Sequence, residues 1–257
     1  QGFAKNYPDS QLSRSAENLL ADILYDSGNF QDAIVAYQTF IEKHASGADS
    51  LAALHRLALC HERAGDKAGA VALLRNIWLK YPASPIASSA EEDMHRLADN
   101  GAKAPPYSDE ELFRRGTVLS DLRKYDKAIK TFNSISVERQ PDEFIWQLQL
   151  KTGQTLFKAR HFKEAEHAFA GLLEKNPRHV IADEARYWLA KSLEKNGKDE
   201  DALTTYAKLA ESSPDSNLAD DALLAAAFIK KFQHKNTYSL FKGKPAAVDS
   251  YLVAKGR

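Results

Sequence analysis

The chain has 257 residues, 44% of them hydrophobic and 27% charged, with 35 basic against 35 acidic side chains. That composition is ordinary for a folded globular or solenoid chain, and it lacks the basic excess with which nucleic-acid binders neutralise phosphates. No apolar run approaches the roughly 20 residues that span a bilayer, and the single cysteine, Cys60, excludes an internal disulfide. The first residue is Gln1 rather than Met, as expected of a processed or trimmed product.

From the N-terminus, spacing predicts helices over 11–27 and 30–44, separated at Gly28. In the second of these, Ala33 is followed by Tyr37 and Phe40, and i, i+4, i+7 is one face of a helix. A second pair is predicted at 51–64 and 67–80, with Gly65 between them. Ser84-Pro85 then supplies a cap and a first-turn proline for one helix, Ala87 to Leu97, closed at Asn100-Gly101 and lacking a partner. Ala102 to Pro106 reads as a stiff extended linker, and Ser108 with Glu111 as a capping box that restarts helix. Pairs follow at 109–122 and 125–137, 143–159 and 162–175, and 182–196 and 199–212. An incomplete unit opens at 217–232, and Lys244 to Gly256 adds a short terminal helix.

The pairs share one register. An aromatic residue and two polar residues precede alanine in Tyr125-Asp126-Lys127-Ala128 and Phe162-Lys163-Glu164-Ala165. The equivalent alanines are Ala33, Ala70, Ala128, Ala165 and Ala202, at separations of 37, 58, 37 and 37 residues. Twelve residues before each stands Ala21, Ala58, Gly116, Gly153 or Ala190, small enough for two helices to approach closely. Gly28, Gly65 and Gly197 fall at the turn within a pair, where a left-handed helix stop is needed. Pro8, Pro82, Pro177 and Pro214 fall between pairs, with Pro141 one place out of phase.

This arrangement of small residue, turn, aromatic, alanine and proline resembles the tetratricopeptide repeat. The resemblance implies an all-α solenoid of antiparallel helix pairs A and B, about five full repeats plus partial ones, in a right-handed superhelix. The period here is 37 residues against the usual 34, and Trp146 stands three places too early for the motif's tryptophan. The gap of 58 residues divides the chain into residues 1–101 and 102–257, with a bend expected near 100–108.

The loop phrases Tyr7-Pro8-Asp9-Ser10, Tyr81-Pro82-Ala83-Ser84 and Ser213-Pro214-Asp215-Ser216 resemble the longer repeats of bacterial envelope proteins. Ile77 to Pro85, followed by an alanine-rich helix, is similar to the superhelical, non-catalytic part of soluble lytic murein transglycosylases. Their Glu-Ser-x-Phe motif has no counterpart, since Glu211-Ser212 is followed by Ser213-Pro214.

No phosphate loop, HExxH motif or ordered Ser-His-Asp set occurs, so no catalytic, cofactor or metal residue is assigned. Of His161, Glu164 and His167, the two histidines are six residues apart and so lie on different helix faces, and Cys60 with His55 and His61 lacks ligand spacing. In the fold implied by the resemblance, A helices line a concave groove. The register places Asn18, Asp22, Phe113, Thr117, Ser120, Leu150, Gln154, Phe157, Tyr187, Lys191 and Glu194 there. Mixed aromatic and polar groups suit a peptide or protein partner, although the rings of Phe113, Phe157 and Tyr187 would equally serve packing between helices. The expectation is a non-enzymatic interaction scaffold of the bacterial envelope, periplasmic, with a cytoplasmic adaptor as the alternative. Its partners are a peptide or protein, envelope machinery or peptidoglycan, and no nucleic acid. The rival reading is an accessory region of a transglycosylase whose catalytic domain lies outside this chain.

Overall fold

The computed structural model describes residues 10–232 apart from 46, 139, 176, 178 and 179. The loop at Tyr7-Pro8 and the helix expected over Lys244 to Gly256 lie outside the described residues. Among the described residues there are twelve α-helices and no strand. They belong to two compact units, Gln1–Leu122 and Arg123–Arg257. Unit 1 holds α1 (Gln11–Asp26), α2 (Phe30–Lys43), α3 (Ala48–Arg63), α4 (Lys67–Lys80), α5 (Pro85–Asp99) and α6 (Asp109–Asp121). Unit 2 holds α7 (Tyr125–Asn133), α8 (Asp142–Lys158), α9 (Phe162–Lys175), α10 (Ala182–Lys195), α11 (Asp199–Ser212) and α12 (Asn217–Phe232).

Local chemistry sets most boundaries. The Ser84 hydroxyl accepts from the Ile86 amide at 3.2 Å, with Pro85 in the first turn of α5. The Ser108 hydroxyl accepts from the Glu111 amide at 3.2 Å, and the Glu111 carboxylate accepts from the Ser108 amide at 2.8 Å. That is the expected capping box, satisfying two otherwise orphaned donors. Helix α7 stops at Asn133, short of the expected 137. There the Ser134 and Ile135 amides bond carbonyls three residues back, tightening the last turn, and Ile135 turns into the core.

The turn within each pair has one geometry. The Gly28 amide bonds the Tyr25 carbonyl and the Asn29 amide the Leu24 carbonyl, both at 3.0 Å. The same two bonds recur at Gly65 and at Gly197. This double closure needs a left-handed residue, and these glycines have φ of 82°, 90° and 75°. At the equivalent positions stand Arg123 (φ 59°) and Arg160 (φ 66°), which hold the same conformation against the clash of a Cβ.

Packing follows the predicted register. Ala21 is buried with Ala33, Tyr37 and Phe40, Ala58 with Leu74 and Ile77, and Ala190 with Tyr206 and Leu209. Gly153 lies under Phe169, where an added Cβ would stand 2.7 Å from Cε1. Cys60 is fully buried in the same cluster as Ala21, and burial pushes its thiol pKa up to about 11, which keeps it inert.

Unit 1 closes in a way the repeat does not dictate. The unpaired helix α5 buries Ala90 and Leu97 against α4. Tyr107 then stacks on Trp78 at 4.3 Å between centroids. Arg115 lies 3.5 Å over the Trp78 ring and Arg75 lies 4.1 Å over Tyr107. The Arg75 guanidinium also donates to the Pro105 and Pro106 carbonyls at 2.7 and 3.0 Å and to Glu111 at 2.6 Å. Arg115 is buried and donates to the Trp78 carbonyl, and desolvation lowers its pKa to about 10, leaving it charged at neutral pH. The segment expected as a linker is therefore clamped onto α4, and α6 packs within unit 1.

Two tests follow from this packing. Gly153→Ala is expected to lower unfolding free energy by about 1–3 kcal/mol, because Phe169 is enclosed and cannot yield. Gly171→Ala, with open space where its Cβ would go, should instead gain up to about 1 kcal/mol from helix propensity. Urea titration of both variants reads the signs. In the turns, Arg160→Gly should raise stability by about 0.5–1 kcal/mol by relieving left-handed strain, and Gly197→Arg should lower it by a similar amount. Equal midpoints for these variants and the parent chain would show that the turn carries no strain.

Candidate functional site

The register-predicted residues divide by unit. In unit 1, Asn18 and Asp22 lie on α1 and are half-buried. The Asp22 carboxylate is taken up by the Tyr37 hydroxyl and by Arg56 at 3.5 Å, with Arg56 also lying 5.7 Å over Tyr25. Neighbouring A-type helices continue this polar lattice. His55 pairs with Asp93 at 2.8 Å, and Arg96 bridges Asp93 at 2.9 Å and Glu62 at 2.8 Å. The hydrogen bond and charge of Arg96 hold the Glu62 carboxyl below its ordinary pKa. On α6, Phe113 and Thr117 are half-buried and Ser120 is buried. Asp22, Arg56, Glu62, Asp93 and Arg96 are thus engaged with one another or with neighbouring side chains on this face.

Unit 2 brings its predicted residues together. Leu150 is the exception, buried with Phe169 and Leu172 in the core. Helices α8 and α10 adjoin, as do α10 and α12. Gln154 on α8 donates to Glu184 on α10 at 2.6 Å. One turn on, Phe157 meets Trp188 edge to face at 5.2 Å and Phe162 at 5.2 Å. Tyr187 adjoins Trp188 at 6.0 Å and the buried Tyr206 at 6.1 Å. Lys191 places its ammonium 5.8 Å from the Phe157 centroid, and 5.2 Å from both Tyr187 and Trp188. Glu194 receives Lys195 at 3.1 Å and the Tyr206 hydroxyl at 3.5 Å, the long limit of a hydrogen bond. Burial, then Asp221 and Glu194, raises the Tyr187 pKa, so the phenol stays a neutral donor.

The result is a cation over three ring faces, flanked by carboxylates and amides and borne by half-buried side chains. Cation–π contacts of this kind contribute about 0.5–2 kcal/mol and hold the lysine in place. The patch can offer apolar ring edges, one cation, the Glu184 and Glu194 carboxylates and further hydrogen-bonding groups. Among the described residues no group of three or more His, Cys, Asp or Glu could hold a metal ion. No helix among the described residues is long and apolar enough to cross a membrane.

Sequence reasoning missed Trp188, Phe162 and Glu184 here, and His55, Arg56, Glu62 and Arg96 in unit 1. The register that selected Asn18 also selects His55 one period on, so that signal was present. Trp188 lies one place off the selected face, and only the facing of α8 and α10 brings it to Phe157.

The repeated helix pair, its small-residue crossing and its turn are those of a helical-repeat scaffold. The family model for the tetratricopeptide repeat matches residues 18–83 and 150–217, just over half of the chain, and the chain belongs to that family. Proteins of this family act as protein-interaction scaffolds. Among solved structures, MamA residues 41 to the end from Desulfovibrio magneticus RS-1 is 16% identical, with 80% of this chain and 98% of that one covered and a TM-score of 0.47. The C-terminal part of a tetratricopeptide-repeat protein of Cytophaga hutchinsonii is 16% identical, at 92% and 94% coverage and a TM-score of 0.44. YrrB, a tetratricopeptide-repeat protein with an unusual peptide-binding site, is 18% identical, at 86% and 97% coverage and a TM-score of 0.41. No curated protein matches the chain in sequence.

The rings of the patch also support the core, since Phe157 packs on the cluster of Phe169 and Leu172, and Tyr187 on that of Tyr206. Phe157→Ala is therefore expected to lower stability by about 2 kcal/mol, below the cost for a fully enclosed ring. Lys191→Met should cost less than about 1 kcal/mol. Guanidinium unfolding of the two variants checks the order.

Proposed function

We propose that this chain is a non-enzymatic scaffold that binds an extended segment of a protein partner on the α8–α10 face. The observation that supports this is Lys191 held over Phe157, Tyr187 and Trp188 on adjoining A helices. Rigid aromatic surface beside hydrogen-bonding groups suits peptide recognition, because little side-chain freedom is lost on binding. The Gln154–Glu184 pair at one edge and Glu194 at the other offer acceptors and donors to a peptide backbone. The setting we propose is the periplasm of a bacterium, in envelope assembly or maintenance, on the strength of the proline loop phrases at Tyr81 and Ser213. A second reading rests on the phrase from Ile77 to Pro85: an accessory region of a lytic murein transglycosylase, contacting peptidoglycan.

The test leaves the rings intact to protect the fold. The parent chain and a Lys191→Glu, Glu194→Lys double variant, matched by melting curves, are used to capture proteins from periplasmic and cytoplasmic extracts. A captured protein counts only if, once purified, it binds the parent at least tenfold more tightly than the variant. Such a partner from the periplasmic extract supports the full proposal, and one from the cytoplasm alone overturns its setting. Equal binding by parent and variant overturns this face. Co-sedimentation with purified sacculi, equal for both, would favour the second reading.

A further inference from the structure

The B helices α2, α4, α9 and α11 have 14 residues each, but α7 has 9. A helix of 14 residues from Tyr125 would reach Glu138, whereas the chain leaves α7 at Asn133. Beside this shortened end lies a cavity of about 410 Å³, lined by α7, α8 and α9. Its apolar wall is formed by the buried Phe132, Ile135, Leu148 and Leu172 and the exposed Val137. A mostly apolar cavity of roughly 300–1,000 Å³ with a few polar groups is the ordinary form of a ligand site.

Two residues of the lining have no explanation in packing. Gly171 stands within α9, and nothing lies within 4 Å of where its Cβ would be, whereas a Cβ on Gly153 would meet Phe169. Glycine weakens a helix interior, so Gly171 carries a cost that no close contact requires, and its missing side chain keeps the cavity open. Gln149 on α8 lines the same space, and its Oε1 is buried without a hydrogen-bond donor. Buried acceptors are nearly always paired. The terminal torsion of a glutamine is soft, so the amide can turn its oxygen to a donor that enters the cavity. On α9, the His167 Nδ1 donates to the Lys163 carbonyl at 2.7 Å, which leaves Nε2 an acceptor in the neutral ring.

We propose that the cavity between α7, α8 and α9 binds a planar aromatic group bearing an N–H donor, as in indole, with Gln149 and His167 as the acceptors. An aromatic ring matches the apolar wall and carries its polar atom at one edge. An indole N–H donates and accepts nothing, so it meets an acceptor without bringing one that needs a partner of its own. Free indole and the tryptophan side chain of a protein offer this same chemistry, and the test separates them. None of the residues named belongs to the α8–α10 patch, so the inference does not rest on the function of that face.

Calorimetric titration of the full chain with indole is expected to show saturable binding. Three changes should each weaken it at least tenfold: 1-methylindole, which lacks the donor, Gly171→Leu, which fills the cavity, and Gln149→Met, which removes the acceptor at similar size. The leucine enters open space and the methionine replaces an unpaired amide, so both variants should melt with the parent chain. Should either melt lower, amide shifts of the parent chain in NMR decide, and indole must then shift the residues around Leu148 and Gly171. Failure to saturate, equal binding of 1-methylindole, unchanged affinity in either variant, or shifts elsewhere overturns the inference. N-Acetyltryptophanamide separates the two sources, and either result supports the site. Binding at least as tight as that of indole assigns the cavity to a tryptophan side chain of a protein partner, and weaker binding assigns it to a free small molecule.

Discussion

At the crossing of an A helix with its B helix, a residue with at most one side-chain carbon lies against a ring or leucine sixteen positions later: Ala21 with Tyr37, Ala58 with Leu74, Gly153 with Phe169, Ala190 with Tyr206. Backbones can approach closely only where the side chain between them is small, and the large partner then fills the space to interior density. The large partners are fully buried at every one of these crossings. Because the small residue fixes how the pair packs, it also fixes which face of the A helix is left for the next contact. Stacking and the candidate site both inherit their geometry from that contact.

The interruption after α4 shows what happens when the repeat stops supplying partners. Helix α5 has no B helix, and the following prolines cannot continue helical structure. The stack of Arg115, Trp78, Tyr107 and Arg75, two rings between two guanidinium groups, takes over the work of a packing interface. A buried guanidinium is costly unless its donors are met. Arg115 donates to the Trp78 carbonyl and lies over the Trp78 ring, while its Nε has no hydrogen-bond partner. The partly exposed Arg75 donates to the Pro105 and Pro106 carbonyls. Arg75 also binds Glu111, so the cap of α6 and the anchoring of the preceding segment share one side chain.

The two units use their A faces differently. In unit 1, cross-helix pairs of Asp22, Arg56, Glu62, Asp93 and Arg96 neutralise one another, and little specific binding capacity is left in charges so engaged. In unit 2, rings occupy the corresponding region and Lys191 caps them. Phe157 and Tyr187 stand with one side in the core and the other at the surface. Structural and recognition roles therefore overlap in the same atoms, and a truncation of either ring mixes the two effects. Charge changes at Lys191 and Glu194 separate them more cleanly.

Helix positions were legible in the sequence because the signals are local. Spacing of i, i+4, i+7, the Ser108–Glu111 box and the left-handed glycines act within a few residues, and the small-residue register extends them to pairing. Helix α7 ends at Asn133 rather than 137 because its last turn tightens, with the Ser134 and Ile135 amides bonding carbonyls three residues back, while Ile135 keeps the buried place that its register assigns. Contacts that spacing does not record bring Trp188 to Phe157, Arg96 between Asp93 and Glu62, and Tyr107 onto Trp78. Leu20 and Leu57 show the limit most clearly. They are the same residue type at the same register position, one exposed and the other buried. The sequence determined that both point away from the crossing within their own pair. Whether that face meets a helix or solvent was decided by the tertiary structure, because burial depends on what lies across the contact and not on the residue that offers it.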